Sequence, residues 1–292
     1  MELHLASMEN ISCWAFRKLY LGSTDVYTGI LSLSYLLERR KACREIDTFP
    51  ITGQRQWVQI ATSKEKECAE FIKLLEEKIK EDPSKDNIYG IQLNLSCPSP
   101  NMIRIGQGPC LIKRVGKVAS LVRELLKQNR FKVSVKTRLG FDTHEIREKR
   151  IQKLMTELEK IHAENPNFTQ VVIHFKHAKE PSFTPYDYSL LKELSEFNIP
   201  IVINGGINNT KDFERIINKI PNTKNIAGFM IGREALKNPD CFVEASNILN
   251  KTQLKNRSQD KINEEFIESC KEHAPRSIYL NKINRLCQWY KY

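Results

Sequence analysis

Short apolar runs alternate with longer amphipathic stretches along most of this 292-residue chain. The runs fall at residues 3–7, 25–29, 56–61, 88–93, 132–136, 171–175, 200–204 and 226–231. Their length and β-rich composition predict strands. Between them, residues 63–80, 111–128, 143–164, 188–196 and 209–217 have amphipathic, helix-like patterns. In the second of these, Lys113, Lys117, Arg123 and Lys127 interleave with Val115, Val118, Leu121 and Leu125, which gives a helix one apolar face. Eight strands alternating with helices predict an α/β fold, the (β/α)8 TIM barrel. An open doubly wound sheet is the competitor. It would usually begin with a glycine-rich dinucleotide fingerprint, and residues 3–21 have none. After Cys241 the pattern becomes helix, a polar break at 256–260, then helix again. The expected division is a catalytic barrel, residues 1–240, followed by a short helical domain, residues 241–292.

No apolar run is long enough for a membrane span, and residues 1–10 lack the basic-then-apolar layout of a secretory signal. Eight cysteines stand at 13, 43, 68, 97, 110, 241, 270 and 287, with no Cys-x-x-Cys pair. That argues against structural zinc and for reduced thiols in the cytoplasm, and no metal is expected. A monomer is the expected state. The formal net charge of +11 favours a polyanionic partner such as nucleic acid, against the plainer reading of a lysine-rich background. Residues 273–292 contain no Asp or Glu. There Arg276, Lys282, Arg285 and Lys291 interleave with Tyr279, Trp289, Tyr290 and Tyr292. Basic residues among aromatics suit phosphate contact and base stacking. The alternative is that the aromatics pack on the barrel and the cations face water.

The chemistry-bearing residues sit at predicted strand ends, where a barrel keeps its active site. Asn94-Leu95-Ser96-Cys97-Pro98 follows the fourth run, and Gly106-Gln107-Gly108-Pro109-Cys110 opens the next helix. A cysteine held there, with an amide three residues before it, is a candidate acid or nucleophile. The plain alternative is a packed free thiol. Lys136 and Arg138 end the fifth run; a lysine there can stabilise an anion such as a reduced flavin, and an arginine can meet a phosphate. His174 closes the sixth run, either as a hydrogen-bonded core residue or as a ligand contact. Asn204-Gly205-Gly206 and Gly232-Arg233 end the seventh and eighth. Glycines there let backbone N–H groups approach an anion, and loops seven and eight are this fold's usual phosphate site.

Together these residues resemble the tRNA-dihydrouridine synthase family from about residue 5 to residue 242. Asn94-Leu95-Ser96-Cys97-Pro98 is similar to its Asn-x-Gly-Cys-Pro loop, and Lys136-Thr137-Arg138-Leu139-Gly140 to its Lys-x-Arg-x-Gly. Leu5-Ala6-Ser7-Met8, Val58-Gln59-Ile60, Ile173-His174, Asn204-Gly205-Gly206 and Ile231-Gly232-Arg233 match its other strand ends. Ser7 stands in place of a proline, Ser96 of a glycine and Lys176 of an arginine. The resemblance implies a barrel that binds FMN and reduces the C5=C6 bond of uridine in tRNA, with NADPH or NADH as reductant. It implies Cys97 as the acid that protonates C5 and Asn94 at the substrate or flavin edge. Met8, Gln59, Lys136, His174 and Asn204 would contact the flavin, and Gly205, Gly206, Gly232 and Arg233 its phosphate. Arg138, Lys282 and Arg285 are the expected RNA contacts. The segment Leu93-Asn94-Leu95-Ser96-Cys97-Pro98 is also similar to the corresponding loop of dihydroorotate dehydrogenase, another FMN-binding barrel. A barrel that only binds RNA is a third reading.

Overall fold

The computed structural model describes residues 1–39, 46, 48–220 and 224–290, without the side chains of Lys85 and Thr210. Cys43, Lys291 and Tyr292 lie outside the described residues. The strands are β1 (Glu2–Leu5), β2 (Asp25–Tyr27), β3 (Leu31–Ser32), β4 (Arg55–Ala61) and β5 (Ile88–Asn94). They continue with β6 (Lys132–Arg138), β7 (Phe168–His174), β8 (Ile201–Asn204) and β9 (Ile226–Ile231). All pairings are parallel, and the order β2-β1-β9-β8-β7-β6-β5-β4 is closed by pairing of β2 with β4. This is a closed eight-stranded barrel, with the two-residue β3 added beside β4. Runs such as Val171-Val172-Ile173 and Ile201-Val202-Ile203 are fully buried because barrel strands are covered on both faces. Parallel strands put every C-terminal end on one rim. Asn94 pairs with Lys136, Arg138 with His174, and His174 with Asn204, so the candidate residues meet there.

The helices depart from the sequence expectation where local chemistry breaks them. The stretch 111–128 becomes a 3-10 helix, Gly108–Lys113, followed by Val115–Leu126. The break falls at Arg114, whose φ of −125° and ψ of 64° lie outside the helical region. The stretch 143–164 divides into Thr143–Arg147 and Arg150–Glu164 at Lys149, which is left-handed with φ 52°. Residues 188–196 keep only Leu191–Leu194 as helix. At the opposite rim, His4 is completely buried, with Nδ1 2.9 Å from Tyr27 Oη and Nε2 3.2 Å from Glu2. Arg55 bridges Glu2 and Asp25, and Trp57 donates to Asp25 at 2.7 Å. This network closes the floor of the barrel and lies far from the candidate residues along the strands.

The chain after β9 forms helices Arg233–Lys237, Cys241–Asn250, Gln259–Glu272 and Ser277–Leu286. Cys241–Asn250 packs on the helix Thr210–Ile217 and on β1, so it completes the ring around the barrel. Arg257 then ties the tail down: it pairs with Asp240 and Glu265 and donates to Leu19 O at 2.8 Å. Two aromatics of the tail decide between base stacking and packing. Trp289 is buried, 6.2 Å from the Phe16 ring and 5.4 Å from the Phe266 ring, and Tyr290 is buried beside it. They seal the joint between tail and barrel and are unavailable for base stacking; apolar area wins over exposure for rings of this size. Trp289→Ala is therefore expected to cost about 3–5 kcal/mol. Thermal denaturation should show a drop of several degrees, and an unchanged melting temperature would refute this packing role.

Candidate active site

β5 ends at Asn94, and that side chain builds the Cys97 loop. Its Oδ1 accepts from the backbone N–H groups of Ser96 and Cys97, each at 3.0 Å. This is a side chain standing in for backbone in a turn. Its Nδ2 donates to Gln59 Oε1 at 2.8 Å. Gln59 Nε2 donates to Gln92 Oε1 at 2.6 Å, and Gln92 Nε2 to Ser134 Oγ at 3.1 Å. A buried amide ladder thus crosses β4, β5 and β6. Each of the two amides, Gln59 and Asn94, has one N–H and its oxygen engaged in these bonds, and neither residue lines the cavity at the rim. Their observed work is to hold the Cys97 loop.

Gly108 fixes the other side of that loop. A Cβ added there would lie 2.8 Å from Cys97 O, too close for any real side chain. Cys110, on the 3-10 helix, points its Sγ toward Ile103 O at 3.8 Å, and burial raises its thiol pKa. Cys97 is only partly buried and stands at the strand end.

Ser96 links Cys97 to the cations of β6. Lys136 Nζ donates to Ser96 Oγ at 3.0 Å, and Arg138 Nε donates to Ser96 O at 2.7 Å. Burial lowers the Lys136 ammonium to about 7, the Arg138 charge adds to the shift, and Cys97 opposes it. Across the rim, Asn204 Nδ2 donates to Met230 O at 2.8 Å, so its Oδ1 must be the atom 2.9 Å from His174 Nδ1. The proton of a neutral His174 therefore sits on Nδ1, leaving Nε2 as an acceptor. Burial, then Lys136 and Arg138, push the His174 pKa well below its ordinary value, so the ring is neutral at pH 7.

A cavity of about 190 Å³ lies between these residues. It is lined by Ser7, Met8, Lys136, Arg138, His174 and Tyr186, and by Asn204 to Asn208, Gly232 and Arg233. Its lining has three cationic side chains and no carboxylate. Ser7 Oγ is buried there with no partner among the described residues. Gly205 and Gly206 have φ +102° and +71°, and the N–H groups of buried Gly206 and Ile207 meet no acceptor among the described residues. Orphaned donors and cations around a cavity without acids form a seat for an anion. Met8, Lys136, His174, Asn204, Gly205, Gly206, Gly232, Arg233 and Arg138 are thus brought together. Lys282 and Arg285 lie outside the cavity on the last helix. Lys282 Nζ donates to Glu9 O at 2.7 Å, which places that helix beside the loop after β1.

Ser96, Tyr186 and Tyr188 are site residues that the sequence reading did not assign. Ser96 appeared only as a variation within a motif, Tyr186 lies in a stretch without periodicity, and Tyr188 stands at the edge of the helix-like stretch 188–196.

A family model described as dihydrouridine synthase matches residues 4–292. A protein of Aquifex aeolicus named "Probable tRNA-dihydrouridine synthase" is 26% identical over 249 residues, 83% of this chain and 72% of that protein. The tRNA-dihydrouridine(20/20a) synthase of Vibrio parahaemolyticus is 24% identical over 286 residues, 94% of this chain and 80% of that one. Among solved structures, Old Yellow Enzyme from Pichia sp. AKU4542 has a TM-score of 0.51 at 10% identity, covering 91% of this chain and 88% of that one. That likeness is one of fold.

Proposed function

Because this chain belongs to the dihydrouridine synthase family, we propose that it binds FMN and reduces the C5=C6 bond of uridine in tRNA, with NADPH or NADH as reductant. The observation that supports it best is the acid-free cavity at the barrel rim, with Lys136, Arg138 and Arg233 in its wall and orphaned N–H groups at Gly206 and Ile207. These residues fit a flavin that carries a phosphate. Gly205, Gly206, Gly232 and Arg233 would hold the phosphate. Met8, Lys136, His174 and Asn204 would line the rest, with the Ser7 hydroxyl as an added donor or acceptor. The His174 Nε2 lone pair suits a hydroxyl or N–H of that group, since it repels an anion.

A reduced flavin held by these residues would supply the hydride for C6. Cys97 supplies the proton for C5 from Sγ, held in place by Asn94, the ladder through Gln59, and Gly108. Lys136 stabilises negative charge in the pocket, and Arg138, beside the Cys97 loop, meets the substrate. A stacked base must leave the RNA to reach such a site. Lys282 and the exposed Arg285 supply phosphate contacts outside the barrel, and the net charge of +11 draws the polyanion in. No helix among the described residues is long and apolar enough to cross a membrane. We place the enzyme in the cytoplasm as a monomer, with a barrel to about residue 240 and a tail that assists RNA binding. The test is optical: the purified protein should show flavin absorption bands and release FMN on denaturation. A colourless protein that FMN cannot reconstitute would remove this reading.

A further inference from the structure

The glycine cradle is covered by a tyrosine. The ring of Tyr186 lies so close to Gly205 and Gly206 that a Cβ on either would overlap it or nearly so. The same ring stands edge-on to His174, with centroids 5.3 Å apart, and carries the Lys176 ammonium 4.5 Å from its centroid. Its hydroxyl is 3.3 Å from Arg233 Nη2. Tyr188 reinforces the arrangement from the same segment by donating to Gly205 O at 2.8 Å. One side chain therefore packs on both glycines of the cradle and engages the arginine that a phosphate would use. The remaining cavity, about 190 Å³, is below the roughly 300–1,000 Å³ usual for ligand pockets. The segment between β7 and Leu191 contains no helix or strand, so moving it breaks no regular element.

We propose that Tyr186 gates cofactor loading: its phenol holds Arg233 and its ring covers Gly205 and Gly206 until the FMN phosphate displaces it. This rests on the flavin reading above. A protein whose binding-competent state is only partly populated shows an affinity reduced by that fraction. Removing the gate must then tighten and accelerate FMN binding, and only for a ligand with a phosphate.

The experiment strips the bound flavin and follows quenching of flavin fluorescence as FMN or riboflavin is added back to wild type, Tyr186→Ala and Tyr186→Phe. Tyr186→Ala is expected to bind FMN about tenfold tighter and faster, as removal of a dominant closed state requires. Tyr186→Phe keeps the ring, releases Arg233, and should fall between. Riboflavin, which has no phosphate, should bind all three alike. Equal or weaker FMN binding by both variants would overturn the gate while leaving the flavin reading intact. Wild-type protein that takes up neither flavin would overturn both. Should Tyr186→Ala fail to fold, Tyr186→Phe still decides: FMN association no faster than wild type contradicts the proposal.

Discussion

Cys97→Ala will leave FMN bound and reducible by the nicotinamide coenzyme but will lower uridine reduction by roughly 10²–10⁴-fold, the usual worth of a placed proton donor. The reason is positional. Cys97 is partly exposed at the active rim, and its backbone is held from two sides, by Asn94 Oδ1 at 3.0 Å and by Gly108, which has no room for a Cβ. Cys110 stands a few residues away with its Sγ turned to a backbone carbonyl, so Cys110→Ala should change turnover only mildly. Single-turnover assays on reduced enzyme separate these steps. Near-normal uridine reduction in Cys97→Ala would remove it as the acid.

Lys136→Met will lower kcat by roughly 10²–10³-fold, the range for loss of one preorganised donor at a developing negative charge. Its pH signature is as diagnostic as its size. Burial disfavours the Lys136 ammonium and lowers its pKa to about 7. Below that pH it carries its proton; above it the amine is neutral. An anion in the cavity restores the charge, so FMN binding at pH 8 should take up a proton, and Lys136→Met should abolish that uptake. Calorimetry in two buffers of different ionisation enthalpy measures it directly. Between about 7 and the ordinary lysine value of 10.5 the unfolded chain holds a proton that the native lysine lacks, so this group makes stability rise with pH across that window. No proton uptake by the wild type would contradict the assigned role.

The strands were legible because each is a short apolar run bounded by polar turns, and β9 falls on residues 226–231 as the pattern predicts. The placement of Cys97, Lys136 and His174 on one rim followed from parallel strands alone. What pattern could not reveal was cross-strand register. The ladder from Asn94 through Gln59 and Gln92 to Ser134 depends on inward-facing residues of three strands meeting at one level, and no local signal encodes that. The two residues of β3 carry too little pattern to be seen. Tyr186 lies in a stretch with no period, and its place over the glycines is a tertiary fact. Trp289 and Tyr290 looked equally suited to RNA or to packing, and packing against Phe16 and Phe266 decided it.

This protein makes dihydrouridine in tRNA, as its membership of the dihydrouridine synthase family and the rim cavity together require. The most direct test incubates the holoenzyme with tRNA lacking the modification and NADPH or NADH, then maps uridines that gain two hydrogens by mass spectrometry of nuclease fragments. Dihydrouridine should appear at discrete tRNA positions, in step with coenzyme oxidation, and should be absent with Cys97→Ala on the same timescale. Coenzyme oxidation with no dihydrouridine at any position, or turnover of dihydroorotate without RNA, would contradict it.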